Sequence, residues 1–513
     1  MQTVTKKIII YTLTAILCIG NSSCLDKYPE DAILAESAIT TAEDANQAAI
    51  GIYAAFMSSA LYSGYLTLLP DLQADLMYAV NGYTNTYGDI WRWDILATNS
   101  EITAVYAALY DVIGRCNFLL ENSEKLKKTL TNDDDIDRVE QYCGEAYFAR
   151  ALAYSELLKM YCKAYESDEE AASELGVVIR SKYYSDEQIT RSSLADSYKF
   201  VLADLDKAAE YLAIGDDYDP SVSGYMYNST YFNEYTVYAL RARVALYMKK
   251  YDEAIKYASK VIDCGHYILS SASSEYSSGL SYYRYMWTSD NATEIIWKVG
   301  FTTTSYGGAL GSIFFNYDYS SFKPDYVPAK WMLELYGSSD LRYDTFFQTY
   351  TTGYSHGLTW PLFAKYWGNT DFYSEAQLLN VSMPKVFRLS EQYLIRAEAY
   401  AMKEQPDYTK AGKDISALRT ARYSSYGGGT AMSKDNALDI IEEERVKELC
   451  MEGFRLTDLK RWHKGFTRTP QSQSLEHGSS LVVEKDNPLF VWPIPQHELE
   501  SPGADIQPNE SNK

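Results

Sequence analysis

Residues 239–262 read ALRARVALYMKKYDEAIKYASKVI. Apolar residues recurring three and four positions apart mark one face of a helix on each side of Lys249-Lys250-Tyr251-Asp252, so 233–264 is expected to fold as two helices broken there. Ala242 and Ala254 lie twelve residues apart, one on each helix, and small side chains at such positions let antiparallel helices cross closely. Related text recurs at 148–154 (FARALAY) and 394–400 (LIRAEAY).

The pair resembles a tetratricopeptide unit, and the irregular recurrence makes the chain a degenerate helical array with insertions. Working outward, 137–165 reads as the clearest helix, with Ala146, Ala149, Ala153, Leu157 and Tyr161 on one face. Residues 42–60, 102–128 and 193–212 are further helical stretches, and 131–135 reads as an acidic turn. Between 266 and 385 the helical period fades and Ser, Gly, Tyr and Trp take over, with a short strand expected at 294–299. Long ordered loops on a rigid frame commonly carry function. Helices resume at Leu389 and over 436–463. The Pro-rich stretch 488–508 is expected to run extended along the body. The fold class is mainly α: a single domain over 36–513, with a helical scaffold at about 40–265 and 386–465, a loop-rich insertion at about 266–385 and a tail at about 466–513.

The N-terminus carries Lys6 and Lys7, an apolar run over 8–19, then Gly20-Asn21-Ser22-Ser23-Cys24. This is the layout of a secretory signal over 1–23, and its apolar run of about a dozen residues is too short to span a bilayer. A cysteine at its end looks like a lipobox, which makes Cys24 the lipidated first residue of the mature chain and 24–35 a tether.

The chain has 69 acidic against 47 basic residues, a net charge of -22. That argues against phosphate-neutralising contact with nucleic acid as a main activity, and against adsorption to anionic lipid as the main attachment. Tyrosine stands out, at 48 residues beside 9 Trp and 17 Phe. Its apolar face and polar tip suit wet recognition surfaces, including those for sugars, and suit helix seams equally. Cys116, Cys143, Cys162, Cys264 and Cys450 show no metal-ligand spacing and read as small apolar core residues. His266, His356, His463, His477 and His497 form no HExxH, and neither a phosphate loop nor a GxSxG elbow occurs. No metal and no cofactor is expected.

Glu442, Glu443, Glu444, Glu448 and Glu452 imitate a carboxylate site, but read as a salt-bridged, buried or semi-buried helix with Arg445, Arg455 and Arg461 as partners. Asp71 and Asp75, one helical turn apart, are placed either to bond sugar hydroxyls or to cap and pack.

Several pieces in order resemble the SusD/RagB nutrient-binding outer-membrane lipoproteins of Bacteroidetes: Ser23-Cys24-Leu25-Asp26, LPDLQAD at 69–75, GEAYFARA at 144–151, Asp340-Leu341-Arg342, YLIRAEAY at 393–400, EER at 443–445 running on to EGFRLTDLKRW at 452–462, and WPIP at 492–495. The resemblance spans essentially the whole chain. It implies a tetratricopeptide-like scaffold, lipid-anchored exposure on the cell outer membrane, and a SusC-like TonB-dependent transporter as partner. It also implies binding of glycans, or in some members peptides, without cleavage. Hydrolysis would need two carboxylates about 5–9 Å apart across a cleft, and no motif supplies them. Some members of the family carry sugar-stacking aromatics after the first helices and in the central insertion. By location, that makes Tyr83, Trp91, Trp93, Tyr285 and Trp287 ligand-binding candidates, with Asp75, Arg92 and Asn99 as polar partners.

Overall fold

A computed structural model describes residues 38–184, 188–213, 229–469 and 481–513. The signal segment, Cys24 and the tether lie outside the described residues.

The scaffold helices are α1 (Ala42–Ala55), α2 (Tyr65–Gln73), α3 (Ser100–Leu126), α4 (Asp133–Tyr161), α5 (Leu194–Tyr211), α6 (Glu234–Tyr247), α7 (Tyr251–Ile262), α8 (Leu389–Met402), α9 (Tyr408–Arg422), α10 (Ala437–Glu448) and α11 (Arg455–Arg461). Successive helices pack as antiparallel neighbours: α3 on α4, α4 on α5, α6 on α7, α8 on α9. The fold is a tetratricopeptide-like helical array. The break between α6 and α7 falls at Met248–Lys250, where Lys249 takes a left-handed φ of 57°. Ala242, Ala245, Ala254 and Ala258 pack with Ile395 and Ala399 of α8 in one small core. The array therefore runs directly from α7 to α8, although more than a hundred residues separate them in sequence.

Those intervening residues are the insertion, and it is built largely from short strands and turns. Ile295–Lys298, inside the expected strand, pairs antiparallel with Lys385–Arg388 and so joins the insertion's two ends. Met77–Ala79 pairs with Tyr326–Pro328, and Phe347–Thr351 forms a hairpin with Thr359–Phe363. The tail packs on the body: the buried Trp492 donates its backbone N–H to Met160 O (2.8 Å) and its indole N–H to Gln73 Oε1 (2.8 Å).

Helices expected at 42–60 and 137–165 end at Ala55 and Tyr161, a short helix at Gln496–Leu499 interrupts the expected extended tail, and two further boundaries differ for a local reason. Asp133, Asp134 and Asp135 form the first turn of α4 rather than a turn before it, because Asn132 caps the helix and carboxylates are favoured at its positive end. Residues 436–463 are two helices, since Met451 (φ 58°) and Gly453 (φ 82°) reverse the chain between them.

The glutamates of 442–452 are salt-bridged as expected, largely with other partners. Glu448 accepts from Arg388 (2.8 Å), Arg422 (2.9 Å) and Arg342 (3.2 Å); Glu444 pairs with Arg342 (2.7 Å) and Arg419 (2.7 Å); Glu452 pairs with Arg388 (2.7 Å) and Lys365 (2.6 Å). Of the expected arginines only Arg455 reaches this group, through Glu442 (2.7 Å); Arg445 and Arg461 share Asp458 instead. Cys116, Cys143, Cys162, Cys264 and Cys450 are free thiols, all but Cys264 buried.

Candidate functional site

A cleft of about 310 Å³ opens beside the N-terminus of α3, lined by Asn85, Tyr87, Asp89, Asp94, Leu96, Asn99 and Glu101. Its wall is the segment from Val80 to Asn99, which folds tightly and irregularly. Asn85 (φ 65°), Tyr87 (φ 55°) and Trp93 (φ 64°) all adopt left-handed backbone. Non-glycine residues there cost of order 1–3 kcal/mol each, and such outliers cluster at ligand-binding sites.

Packing beneath the segment holds this conformation. Trp91 is fully buried and donates its indole N–H to Met77 O (3.2 Å); Trp93 is buried and donates to Gln73 O (2.6 Å). Arg468 lies 4.4 Å from the Trp91 ring centre and donates to Trp91 O (2.8 Å). Above them Arg92 acts as a clamp. Its Nη1 donates to Tyr83 Oη (2.7 Å) and Asn85 Oδ1 (2.6 Å), and its Nη2 to Asp89 Oδ1 (2.8 Å). A side chain at Gly88 would meet all three of Asn85, Arg92 and Tyr83 at under 3 Å, so the clamp needs glycine there.

The cleft offers apolar faces rimmed by polar groups. Leu96 is 68% exposed. The half-buried Tyr87 ring meets Tyr65 edge-on at 5.7 Å. Burial, reinforced by Tyr65, Glu101 and Asp325, pushes the Tyr87 phenol up to about 12, so it remains a neutral donor at neutral pH. Asn85, Asp89, Asp94 and Glu101 supply amide and carboxylate oxygens. Asn99 lines the cleft but caps α3, its Oδ1 accepting from Ile102 N–H (3.0 Å).

The expected ligand-binding residues thus divide. Asn99 lines the cleft, Arg92 bonds to its lining residues Asn85 and Asp89, and Tyr83 is held in the same clamp. Trp91 and Trp93 are buried supports with no ring face open to a ligand. Asp75 is buried in a two-point ion pair with Arg455 (2.8 and 2.7 Å), tying the turn after α2 to α11. Asp71 is fully buried and accepts from the backbone N–H groups of Gly453 (3.2 Å) and Arg455 (2.8 Å), which settles it as a cap of α11. Trp287 is also buried, with Lys365 (4.2 Å), Lys385 (4.7 Å) and Arg388 (5.2 Å) around its ring. Tyr285 lies elsewhere on the insertion, half-buried and stacked on Tyr276 at 3.8 Å. Sequence reasoning missed Asn85, Tyr87 and Leu96. The only local signal was the Gly/Asn/Tyr-rich text around them.

Fold and site together define a class: a helical-repeat scaffold presenting irregular inserted segments and a polar-rimmed cleft. A model of the SusD family matches residues 347–507, and one described as starch-binding, associating with outer membrane, matches residues 25–246. Two SusD-like proteins of Formosa agariphila are similar. P38 is 24% identical over 491 residues, covering 86% of this chain and 88% of P38; P2 is 25% identical over 208 residues, only 40% of this chain and 38% of P2. A solved structure of a putative sugar binding protein from Bacteroides vulgatus ATCC 8482 shares the fold, with a TM-score of 0.74 at 22% identity, covering 93% of this chain and all of that one. The chain belongs to the SusD-like family.

Proposed function

We propose that this protein is a non-catalytic, surface-exposed lipoprotein that binds oligo- or polysaccharide at the Tyr87–Leu96 cleft and passes it to a TonB-dependent transporter in the outer membrane. The observation that carries the reading is the cleft itself. Apolar faces ringed by amide, hydroxyl and carboxylate groups complement a sugar ring, whose CH face is apolar and whose edge is hydroxyl-rich. The starch-binding description of the matched family and the sugar-binding description of the structural relative support the same ligand class. Anchoring rests on Cys24 and the signal-like segment before it. Among the described residues no helix is long and apolar enough to cross a membrane.

The test uses the soluble chain 25–513 in affinity electrophoresis against starch, arabinoxylan, galactomannan, pectin and chondroitin sulfate, with released sugars measured in the same mixtures. Retardation by a glycan without product is the expected result. Product would overturn the non-catalytic reading, to which Asp89, Asp94 and Glu101 in the cleft give a concrete target. A shift confined to basic peptides, and weakened by salt, would replace glycan by peptide.

A further inference from the structure

The Tyr87–Leu96 cleft carries charge of one sign. Asp89, Asp94 and Glu101 line it, and among the described residues no Lys, Arg or His does. Asp89 and Asp94 are exposed, and Glu101 is half-buried. The guanidinium bonded to this lining is already committed. Arg92 Nη2 donates to Asp89 (2.8 Å), its Nη1 to Tyr83 (2.7 Å) and Asn85 (2.6 Å), and its Nε lies 3.6 Å from Asp94. Three carboxylates therefore face one cation. The positive end of α3 offsets about half a charge more. Glu101 already sits in that first turn, and Asn99 Oδ1 takes the Ile102 N–H (3.0 Å). A negative excess remains. It reaches into the cleft, where Glu101 and Asp325 add to burial and Tyr65 in pushing the Tyr87 phenol upward.

Such a lining discriminates among sugars. A hydroxyl donates to a carboxylate in a charge-assisted hydrogen bond, stronger than one between neutral groups. An ammonium group adds an ion pair to that bond. A uronate carboxylate or a sulfate ester brings acceptors of the same sign as the lining, and each carboxylate repels it at close range. The net charge of the whole chain, -22, works in the same direction from farther away, but salt screens exposed charges beyond about 8–10 Å. The local lining therefore decides which glycans can dock.

We propose that Asp89, Asp94 and Glu101 set the charge class of the ligand: the cleft takes neutral glycans, favours those bearing free amino groups, and rejects uronate and sulfated ones. This rests on the glycan-binding reading and narrows it. Starch, arabinoxylan and galactomannan stay candidates, whereas pectin and chondroitin sulfate do not.

The test takes the panel polysaccharide that retards the wild-type chain and substitutes it lightly in three ways: hydroxyethyl ethers, which are neutral, carboxymethyl ethers, which are anionic, and aminoethyl ethers, which are cationic. The three groups are similar in bulk, so differences in retardation report charge. The expected result is that the carboxymethyl form binds on the order of ten-fold more weakly than the hydroxyethyl form, and the aminoethyl form more tightly. Asp94→Asn/Glu101→Gln reduces the carboxymethyl penalty to about three-fold. Asp435→Asn, an exposed neutralisation before α10 and outside the cleft lining, leaves the penalty as in wild type. Should the double variant melt low, Asp94→Asn alone, at an exposed position, carries the comparison. Equal binding of the three forms by wild type overturns the charge filter and leaves glycan binding intact. So does a penalty that survives undiminished in the cleft variants, which traces it to the charge of the whole chain, and so does retardation by pectin or chondroitin sulfate above the neutral polysaccharides. A wild-type chain that no polysaccharide retards overturns the glycan reading and the filter with it.

Discussion

At the level of single side chains, the same residue type does opposite things depending on what surrounds it. Among the described residues Asp71 has no cationic partner in hydrogen-bond reach; burial pushes its carboxyl up to about 7 against the backbone N–H groups of Arg455 and Gly453. A folded-state value above the ordinary 3.8 means the folded chain holds this proton more tightly than the unfolded one. Its contribution is fully present below about pH 3.8 and is lost as pH rises through about 7. Asp71→Asn therefore gains on wild type between pH 4 and pH 8, by roughly 3–4 kcal/mol at 1.36 kcal/mol per unit. Urea midpoints of both proteins across that range check it, and a gap that does not change with pH removes the assignment. Trp91 gives a second expectation. Its ring is fully enclosed and packed under Arg468, so Trp91→Ala costs about 3–5 kcal/mol of stability and any loss of ligand binding follows the unfolding. Arg92→Ala separates the two effects. Its side chain is partly exposed, so the melt moves little while the clamp on Tyr83, Asn85 and Asp89 is released, and affinity for the retarding glycan falls about ten-fold. Equal affinity in Arg92→Ala would show that the rim needs no clamp. These contrasts explain why the site was only half legible. The aromatic and polar text at 83–99 pointed to the segment that walls the proposed cleft. That Trp91 and Trp93 both turn inward goes with left-handed backbone at Asn85, Tyr87 and Trp93, and no side-chain pattern encodes that.

At the level of elements, helical periodicity carried further, because small residues spaced by three and four mean close helix crossing wherever they occur. Gly144 on α4 shows the magnitude. In an exposed helix, replacing glycine by alanine stabilises by about 0.5–1 kcal/mol. Here a Cβ on Gly144 would sit 2.8 Å from Tyr211 Cβ and 2.9 Å from Leu212 Cγ, at the end of α5. The overpacking cost of about 1–3 kcal/mol wins, so Gly144→Ala lowers the melting temperature. A rise would mean that α4 and α5 part without penalty. What the period could not show was where α10 ends. The residues of 436–463 keep helix-forming character across Met451 and Gly453, and the interruption is set by tertiary contact: Gly453 lies so close to Leu66 O that a Cβ would approach it to 2.6 Å. The insertion was legible as a change of composition, yet its strands are two to five residues long and pair with distant partners such as Met77–Ala79, which local pattern does not reveal.

At the level of the whole molecule, one buried charge network joins insertion and scaffold. Glu294, Asp340 and Arg342 come from the insertion, Arg388 from its closing strand, Arg422 from α9, and Glu444 and Glu448 from α10. Desolvation opposes ionisation of Glu448, but the charges of Arg422 and Arg388 outweigh it and hold the carboxyl well below its usual range. Glu444 and Glu452 are lowered in the same way by Arg342 and Arg388. The sign is opposite to that of Asp71: folded-state values below the ordinary 4.5 contribute stability that is present above that pH and lost as pH falls. Glu448→Gln leaves three buried guanidinium groups short of a counter-charge, and removing one partner of a buried pair costs about 3–5 kcal/mol. The variant should unfold at lower urea at pH 7, and its midpoint should decline less steeply than that of wild type between pH 5 and pH 3. Parallel acid profiles for the two proteins would show that Glu448 is not the group through which acid separates insertion from scaffold.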